Sequence, residues 1–261
     1  MSVNVGNPVV DVSAVPSPRS SKLQNWKQIF TIWLQPRVTM RWVASQGHGV
    51  WRLPLIIVTL ALLLCSIVYG TVQRAHMGEV KLPDGYQYYM PEEQERFQSA
   101  LAIARGPLFV YIFPAIESVG GFWLQWIFFS TLLYIGLHLT RVPARGMVIR
   151  NAVAWSSLPY LLRYLLQVFY VILSGHFIEQ SGLAIFAPQA PIELHYLMIS
   201  ILSGIDFYTF WQFFLLLLGI RYATRKPWWR IFPVVFIIMA AVLLISAFIS
   251  YATAQLGAML S

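Results

Sequence analysis

Long apolar stretches separated by short polar segments dominate the hydrophobic pattern of this sequence. A bilayer span requires about 20 consecutive apolar residues. Five stretches meet this length, and they cover residues 53–72, 107–139, 152–174, 195–220 and 231–255. The pattern therefore predicts an all-α, polytopic membrane protein with a bundle of five transmembrane helices, which make up a transmembrane domain over residues 53–256.

The second apolar stretch is longer than a bilayer core needs. Its 33 residues exceed the thickness of an average bilayer core at about 1.5 Å per helical residue. The pair Gly120 and Gly121 is the natural position for a break. We therefore expect an amphipathic outer piece before this pair and a regular span after it.

Two different segments precede the first span. Residues 1–21 lack the basic start and apolar middle of a secretory signal, and their composition indicates a short disordered tail. Residues 22–52 form a cytoplasmic amphipathic segment. Within it, apolar side chains recur at helical spacing at Leu23, Trp26, Phe30, Trp33 and Leu34. This spacing predicts a helix that lies along the cytoplasmic leaflet and ends before Pro36.

A second helix is expected in the outer loop between the first two spans. The stretch PEEQERFQSALAIARG has Pro91 at a helix start, Glu92 and Glu93 in the first turn, and Arg105 followed by Gly106 at the end. Acidic residues near a helix N-terminus and a basic residue near its C-terminus complement the helix dipole. The sequence predicts a short outer-loop helix here.

Composition agrees with a membrane protein, and the charge distribution gives its orientation. Hydrophobic residues make up 58% of the chain and charged residues only 11%, whereas soluble domains carry about 25% charged residues. Of the 18 basic residues, 13 lie before the first span, after the second or after the fourth. The positive-inside rule then places the N-terminus in the cytoplasm and the C-terminus outside. The basic residues behind the net charge of +8 act as topology signals. The sequence contains no basic face with interleaved aromatic residues, so nucleic-acid binding is not expected.

Two charged residues are predicted near the middle of the membrane. Arg163 lies about 11 residues from the cytoplasmic start of the third span, and Asp206 lies about 11 residues from the outer start of the fourth. Antiparallel neighbouring helices would bring the two to the same depth. Because a charge at mid-bilayer costs about 2.5 to 3.5 kcal/mol, each needs a partner, and an Arg163–Asp206 ion pair is the leading structural prediction.

Further polar residues could extend this pair into a site. Glu117 is a third intramembrane acid whose depth depends on where the second span begins, and Gln125 and Gln167 add amide groups within the bundle. The charges could form a proton relay or a substrate site. They could also form a clamp that fixes helix register, which is the favoured interpretation because few proton carriers are present.

Aromatic and basic residues at the cytoplasmic side are predicted to anchor the protein at the membrane interface. Tryptophan is enriched at this depth in membrane proteins, and arginine contacts lipid phosphates there. The predicted anchors before the first span are Trp26, Trp33, Arg37, Arg41, Trp42 and Trp51, and those before the fifth span are Trp228 and Trp229.

No catalytic, metal or cofactor signature stands out. The segment EEQER, Glu92 to Arg96, has the wrong spacing for a paired-glutamate intramembrane protease and lies in a polar loop. Cys65 is the single cysteine, so a disulfide within the chain is impossible. His176 and His195 flank the loop between the third and fourth spans, which leaves a remote alternative of haem ligation. We expect no enzyme activity, no metal and no cofactor.

Two segments resemble the bacterial members of the Ypt-interacting-protein (YIP) membrane family. The stretch NWKQIFTIWLQPRVTMRWV followed by RLPLIIVTLALLL is similar to the aromatic-rich start of that family and its first span. The stretch AVAWSSLPYLLRYLLQ is similar to the third-span region of the same family. Five spans and a cytoplasmic N-terminus also match, and the resemblance covers about residues 24–250.

The resemblance implies a non-enzymatic role. Eukaryotic relatives bind Rab-type GTPases and assist vesicle traffic, and some bacterial relatives are thought to accompany ABC-type exporters. We therefore expect a scaffold or accessory subunit in a prokaryotic cytoplasmic (inner) membrane, with the lipid bilayer and other membrane subunits as partners. The alternative is a small transporter or channel component that uses Glu117, Arg163 and Asp206 and would surround them with a water-filled cavity.

Overall fold

The computed structural model describes residues 18–76, 85–142, 144–178, 181–187 and 192–260, with side chains described except at 18–24, 192–194 and 254–260. Within these residues the fold is all helical and contains no β-strand. The α-helices are α1 Pro18–Leu34, α2 Pro36–Ser45, α3 Arg52–His76, α4 Pro91–Ala104, α5 Phe113–Leu139, α6 Gly146–Ser156, α7 Pro159–Ser174, α8 Ile192–Ser203, α9 Phe207–Thr224 and α10 Trp228–Leu260.

The described chain contains four or five candidate membrane spans. Four helical stretches are long and apolar enough to cross a bilayer: Arg52–His76, Leu108–Leu139, Gly146–Ser174 and Trp228–Thr253. Helices α8 and α9 add a fifth candidate only if they are counted together, because the chain bends by 52° between them. The polytopic helical class that the sequence predicts is therefore correct, and the predicted fifth span depends on whether the bent pair α8 and α9 crosses the membrane.

The second span is not broken where the sequence suggested. Helix α5 runs through Gly120 and Gly121 without interruption, and the irregularity lies earlier, in a π-helical turn over Leu108–Ile112. The predicted break at the glycine pair is wrong. In hydrocarbon an opened helical turn would leave backbone polar groups unpaired at a cost of several kcal/mol each, so a continuous helix is favoured even across two glycines.

The third span consists of two helices joined at Ser157 and Leu158. Helix α7 begins with Pro159 in its first turn, where the missing proline N–H breaks no helical hydrogen bond. The hydroxyls of Ser156 and Ser157 donate to the carbonyls of Val153 at 2.8 Å and Ala154 at 2.7 Å. The serines thus bond locally, and α6 and α7 together still count as one span.

The predicted continuous fourth span over 195–220 is wrong. The helix stops at Ser203 and restarts at Phe207, with Asp206 as the N-cap of α9. The N–H of Thr209 donates to Asp206 Oδ1 at 2.8 Å, and the Thr209 hydroxyl donates to the carbonyl of Gly204 at 2.9 Å. These bonds satisfy backbone groups that the break exposes, which is why the interruption is tolerated inside a membrane protein.

Helix α1 packs on the protein with one face and leaves an apolar face uncovered. Ile29 and Ile32 are buried, whereas Trp26, Phe30 and Leu34 are exposed. The helix begins at Pro18, four residues before the predicted start at Lys22, and it ends before Pro36 as expected. The exposed face is consistent with a helix that lies on a membrane surface. Residues 1–17 of the predicted tail lie outside the described residues.

Helix α2 belongs to the bundle instead of the membrane surface. Its side chains Thr39, Met40 and Val43 are fully buried against α6 and α9. The contact is close because α9 has a glycine there: a Cβ on Gly219 would lie 2.7 Å from Met40 Cε and 3.0 Å from Ala152 Cβ. The predicted interfacial segment 22–52 therefore combines a surface helix with a packed one.

Helix α4 lies in the predicted outer loop and contacts the bundle at the π-helical turn. Glu93 Oε2 accepts from the N–H of Met90 at 3.1 Å, which caps the first turn. The ring of Phe97 packs against that of Tyr86 in a tilted arrangement, with centroids 5.4 Å apart. None of the α4 side chains is buried.

Candidate functional site

An ion pair joins α7 to the start of α9. Arg163 Nη1 lies 3.0 Å from Asp206 Oδ2, and the two side chains are 21% and 11% exposed. The two residues that the sequence predicted as partners are therefore in contact. An ion pair with this burial holds two helices together because neither charge can be left unpaired without a large desolvation penalty.

The ion pair lies at the N-terminal end of α9. Asp206 precedes the 18 residues of α9, so it stands about 27 Å from the C-terminus of that helix. A bilayer core is about 30 Å thick. The length of α9 between Asp206 and Thr224 is therefore close to that thickness, and the mid-bilayer depth of the pair stays a prediction.

Both oxygens of the Asp206 carboxylate have a protein donor. Oδ1 accepts from the N–H of Thr209 at 2.8 Å and Oδ2 faces Arg163. The Thr209 hydroxyl, which has one proton to donate, lies 2.9 Å from both Oδ1 and the carbonyl of Gly204. A negative charge at a helix N-terminus is also favoured by the helix dipole. Asp206 thus caps α9 and anchors α7 with the same side chain.

A small cavity with polar groups in a mostly apolar lining, called the polar cavity below, lies beside the ion pair. Its volume is about 180 Å³, enough for several water molecules. Tyr160 donates its hydroxyl to Gln212 Oε1 at 2.8 Å in its wall. The polar residues that line it are Gln125, Ser157, Tyr160, Arg163, Thr209, Gln212 and Ser246.

The other predicted polar residues divide between this cavity and distant positions. Gln125 lines the cavity, but its amide makes no hydrogen bond within the described part of the chain. Gln167 lies outside it, and its Oε1 accepts from the thiol of Cys65 at 3.8 Å. Glu117 is exposed and stands 22 residues, or about 33 Å, from Leu139 at the far end of α5. Within the described residues, no ion pair or hydrogen bond joins Glu117 to Arg163 or Asp206.

Sequence reasoning missed the polar residues that surround the pair. Asp206, Thr209 and Gln212 recur at a spacing of three residues, which places them on one face of α9. Tyr160 lies three residues before Arg163 on α7, and its ring faces the guanidinium 6.0 Å away. The recurrence of polar residues at helical spacing on each helix could have revealed these residues. The sequence prediction considered the charged residues alone.

The predicted interfacial tryptophans form two groups. Trp26 is 52% exposed and Trp229 is 68% exposed, as expected of residues in contact with lipid headgroups. The other four rings pack against the protein, and their neighbours are Trp211 for Trp33, Trp155 for Trp42, Trp126 for Trp51, and the Arg221 guanidinium for Trp228.

The two predicted arginine anchors are both exposed. Arg37 lies on the surface of α2, and the guanidinium of Arg41 lies 5.2 Å from the ring centroid of Tyr222 on α9. Arg41 therefore lies against the C-terminal turn of α9 as well as facing outward.

The histidines predicted as remote haem ligands have other neighbours. The His176 ring lies 6.1 Å from that of His76 on α3. The His195 ring lies 6.3 Å from that of Tyr196. Among the described residues, no group of three or more His, Cys, Asp or Glu side chains is arranged to hold a metal ion.

An apolar groove runs between α5 and α10 on the lateral surface. Its volume is about 840 Å³. Gln125 and Ser246 line both this groove and the polar cavity, so they separate the ion-pair region from the lateral surface. Most groove side chains are exposed and apolar, among them Leu124, Phe128 and Ile249.

These features define a multi-pass helical membrane protein with a charge pair inside its bundle. The Yip1 domain matches residues 30–250, which is most of the chain. The protein therefore belongs to the Yip1 domain family. Comparison with the curated proteins and with the solved structures gives no match.

Proposed function

We propose that the protein is a non-enzymatic membrane scaffold or accessory subunit that binds a transmembrane helix of another membrane protein in the groove between α5 and α10. It works in a prokaryotic cytoplasmic (inner) membrane, with its N-terminus in the cytoplasm and its C-terminus outside. The distribution of basic residues supports this orientation.

The observation that carries the proposal is the amide of Gln125 in an apolar groove. Gln125 lies 14 residues, or about 21 Å, from Leu139 and so within the hydrocarbon thickness. Its side chain is exposed and has no hydrogen-bond partner within the described residues. Lipid chains cannot hydrogen-bond to this amide, whereas a polar side chain of a neighbouring helix can.

The groove also allows a close approach of a helix. Gly121 lies in it, and a Cβ at that position would meet no atom within 4 Å. Ser246 adds an exposed small polar residue on the facing helix. Small residues and single polar groups are typical of helix interfaces in membranes, where apolar surface alone gives no driving force.

The ion pair supports the proposal as a clamp. Each Asp206 oxygen already has a protein donor, and Arg163 has its counter-charge, so the pair is closed in this conformation. A clamp of this kind fixes α7 against α9 and keeps the lateral surface in one shape.

Photo-cross-linking in native membranes tests the proposal. A photoreactive amino acid at Leu124 or Ile249, which lie in the groove, should give one discrete cross-linked product. The same probe at Leu173, an exposed apolar position on α7 that is 70% exposed, should give none. The groove product should disappear when Gln125→Leu is added.

Two controls make the result decisive. Gln98→Leu changes an exposed glutamine of α4 and should leave the groove product intact. Thermal unfolding of Gln125→Leu should match that of the unmodified protein, since the amide bonds nothing within the described residues. Equal products from groove and α7 positions, or a product that does not depend on Gln125, would contradict the proposed partner helix.

A transporter is the second candidate, and the polar cavity favours it. The cavity beside Arg163 adjoins a broken helix, and transporters bind substrates at such breaks. Transport requires the pair to open for an anionic substrate, so Asp206→Asn should then retain thermal stability while it changes substrate binding. The clamp interpretation expects the opposite, a clear loss of stability.

A further inference from the structure

The basic end of the bundle, formed by the C-termini of α2 and α9 and the start of α10, contains a cavity that the proposed function does not use. Its volume is about 690 Å³. The lining contains four basic side chains, Arg41, Arg221, Arg225 and Lys226. We propose that this cavity binds a phosphate-bearing anion, supplied by the headgroup of an anionic lipid.

Within the part of the chain that the structure describes, no acidic side chain neutralises the positive charge in the cavity. The described ion pair lies elsewhere, between Arg163 and Asp206. None of the acidic side chains that the structure describes lines the cavity. The side chains of Arg225 and Lys226 make no hydrogen bond or ion pair within the described residues. An anion from outside the chain would supply the missing counter-charge.

The helix dipoles at this end offset only part of the positive charge of the basic side chains. The C-termini of α2 and α9 each carry the equivalent of about half a negative charge. Together they offset about one of the four positive charges around the cavity. About three positive charges therefore remain, which is more than the two helix C-termini need to balance their dipoles.

Two of the arginines are held in position by aromatic rings. The Arg41 guanidinium lies over Tyr222 at 5.2 Å, and that of Arg221 lies over Trp228 at 4.5 Å. A guanidinium stacked in this way keeps its N–H groups free for a phosphate oxygen, with less side-chain freedom to lose on binding. The cavity is therefore partly pre-organised for a phosphate.

Arg225 extends the site towards a second cavity. It occupies the left-handed region with φ +55°, where it ends α9, and its side chain lines both cavities. The second cavity has a volume of about 470 Å³ and adds Arg145 and His138. The two adjoining cavities can hold a headgroup larger than a single phosphate.

The depth of the site favours a lipid headgroup over a free phosphate. The cavity lies where α9 ends and α10 begins, next to Trp228 and the exposed Trp229. Tryptophan at helix ends marks the level of lipid headgroups, and basic pockets between transmembrane helices bind such groups.

Thermal shift of the full-length protein in a mild uncharged detergent tests the inference. Dioctanoyl phosphatidylglycerol should raise the melting temperature in a saturable way, and dioctanoyl phosphatidylcholine should not. The double variant Arg225→Asn/Lys226→Gln should weaken the apparent affinity for the anionic lipid about tenfold or more. Asparagine is chosen at 225 because it tolerates the left-handed conformation that this position requires.

A matched control removes the same number of charges at the same end. Arg52→Gln/Arg230→Gln changes two exposed arginines that start α3 and α10 and line neither cavity. This control should keep the response to phosphatidylglycerol within about twofold. If both double variants lose affinity equally, general surface charge explains binding and the site is overturned.

Two further arms distinguish the source of the phosphate and guard against misfolding. Sodium pyrophosphate without lipid should give little shift; a large shift that Arg225→Asn/Lys226→Gln abolishes would assign the same cavity to a free phosphate.

Lys226→Gln alone changes a residue between two helices and should still weaken lipid binding severalfold if the double variant does not fold. A full response to phosphatidylglycerol in Lys226→Gln would overturn the proposal.

Discussion

The side chain of Asn151 accepts the backbone N–H of Val50 at 3.1 Å, across 101 residues of sequence. The amide of the same side chain donates to the carbonyl of His48 at 2.9 Å. Asn151 is fully buried within α6. It therefore adds to the backbone bond from the N–H of Val50 to the carbonyl of His48 in the turn between α2 and α3, and it fixes the entrance to the first span against the third.

Asn151→Ala should destabilise the protein by about 1 to 3 kcal/mol. The change removes two hydrogen bonds, one to the N–H of Val50 and one to the carbonyl of His48, and leaves these groups only their bond to each other at 3.1 Å. Each lost bond contributes about 0.5 to 1.5 kcal/mol. Thermal unfolding in detergent measures the loss. Asn25→Ala on α1 is the control, because the Asn25 side chain makes no hydrogen bond within the described residues. Equal melting temperatures for the two variants would contradict the role of Asn151.

Asp206→Asn should lower stability through the unpaired charge of Arg163. Asparagine can still cap α9 through its side-chain oxygen, so the variant removes the ion pair and keeps the N-cap. Breaking a fully buried pair costs about 3 to 5 kcal/mol, and partial exposure here reduces the expected loss to about 1 to 3 kcal/mol.

A double-mutant cycle isolates the coupling between the two charges. Arg163→Gln/Asp206→Asn should recover part of the stability that Asp206→Asn loses, because neither charge then remains without a partner. Glu95→Gln on α4 is the control, since its carboxylate is exposed and makes no ion pair among the described residues. Full additivity of the two single changes would exclude a clamp.

The sequence predicted the helical class and the partners of the ion pair, but not the break between α8 and α9. Hydropathy averages over a window, so a stretch from His195 to Ile220 reads as one span even though Asp206 caps a new helix inside it. The capping role depends on Thr209 three residues later, a local signal that a span-length average removes. The ion pair, in contrast, was predicted from two individual residues, because a buried arginine needs an acidic partner. No average over a window entered that prediction.

The location of α2 could not be predicted from its own residues. The sequence from Pro36 to Ser45 is amphipathic, which is compatible with a membrane surface or with a packed helix. Which of the two occurs is decided by Gly219 on α9, whose missing side chain makes room for Met40. Such complementarity between distant segments has no signature in either segment alone.

Gly70→Ala should destabilise the contact between α3 and the π-helical turn. A Cβ at Gly70 would lie 2.7 Å from the carbonyl oxygen of Val110 and 2.6 Å from Cδ1 of Tyr111. A backbone carbonyl cannot move away as a flexible side chain can, so we expect a loss of about 1 to 3 kcal/mol. Gly120→Ala is the control, because its Cβ meets nothing within 4 Å and alanine favours helix. Measured stability should therefore fall for the first variant and stay equal or rise for the second.

Cysteine labelling in intact cells should show that the α8 and α9 pair carries the chain across the membrane. Helix α9 begins at Asp206 beside Arg163 and ends beside α2, where Arg41 lies over Tyr222. In a Cys65→Ser background, we expect an impermeant maleimide to react with Ala102→Cys on α4 and not with Gly47→Cys.

The decisive position is the start of α10. Arg230→Cys should be protected from the reagent like Gly47→Cys, and Thr253→Cys near the other end of α10 should react, because α9 returns the chain to the basic end. A cysteine side chain fits at both positions, because a Cβ on Gly47 would meet no atom within 4 Å and Arg230 is exposed. Labelling of Arg230→Cys from outside would mean that the bent pair is a re-entrant loop and that the chain crosses the membrane four times.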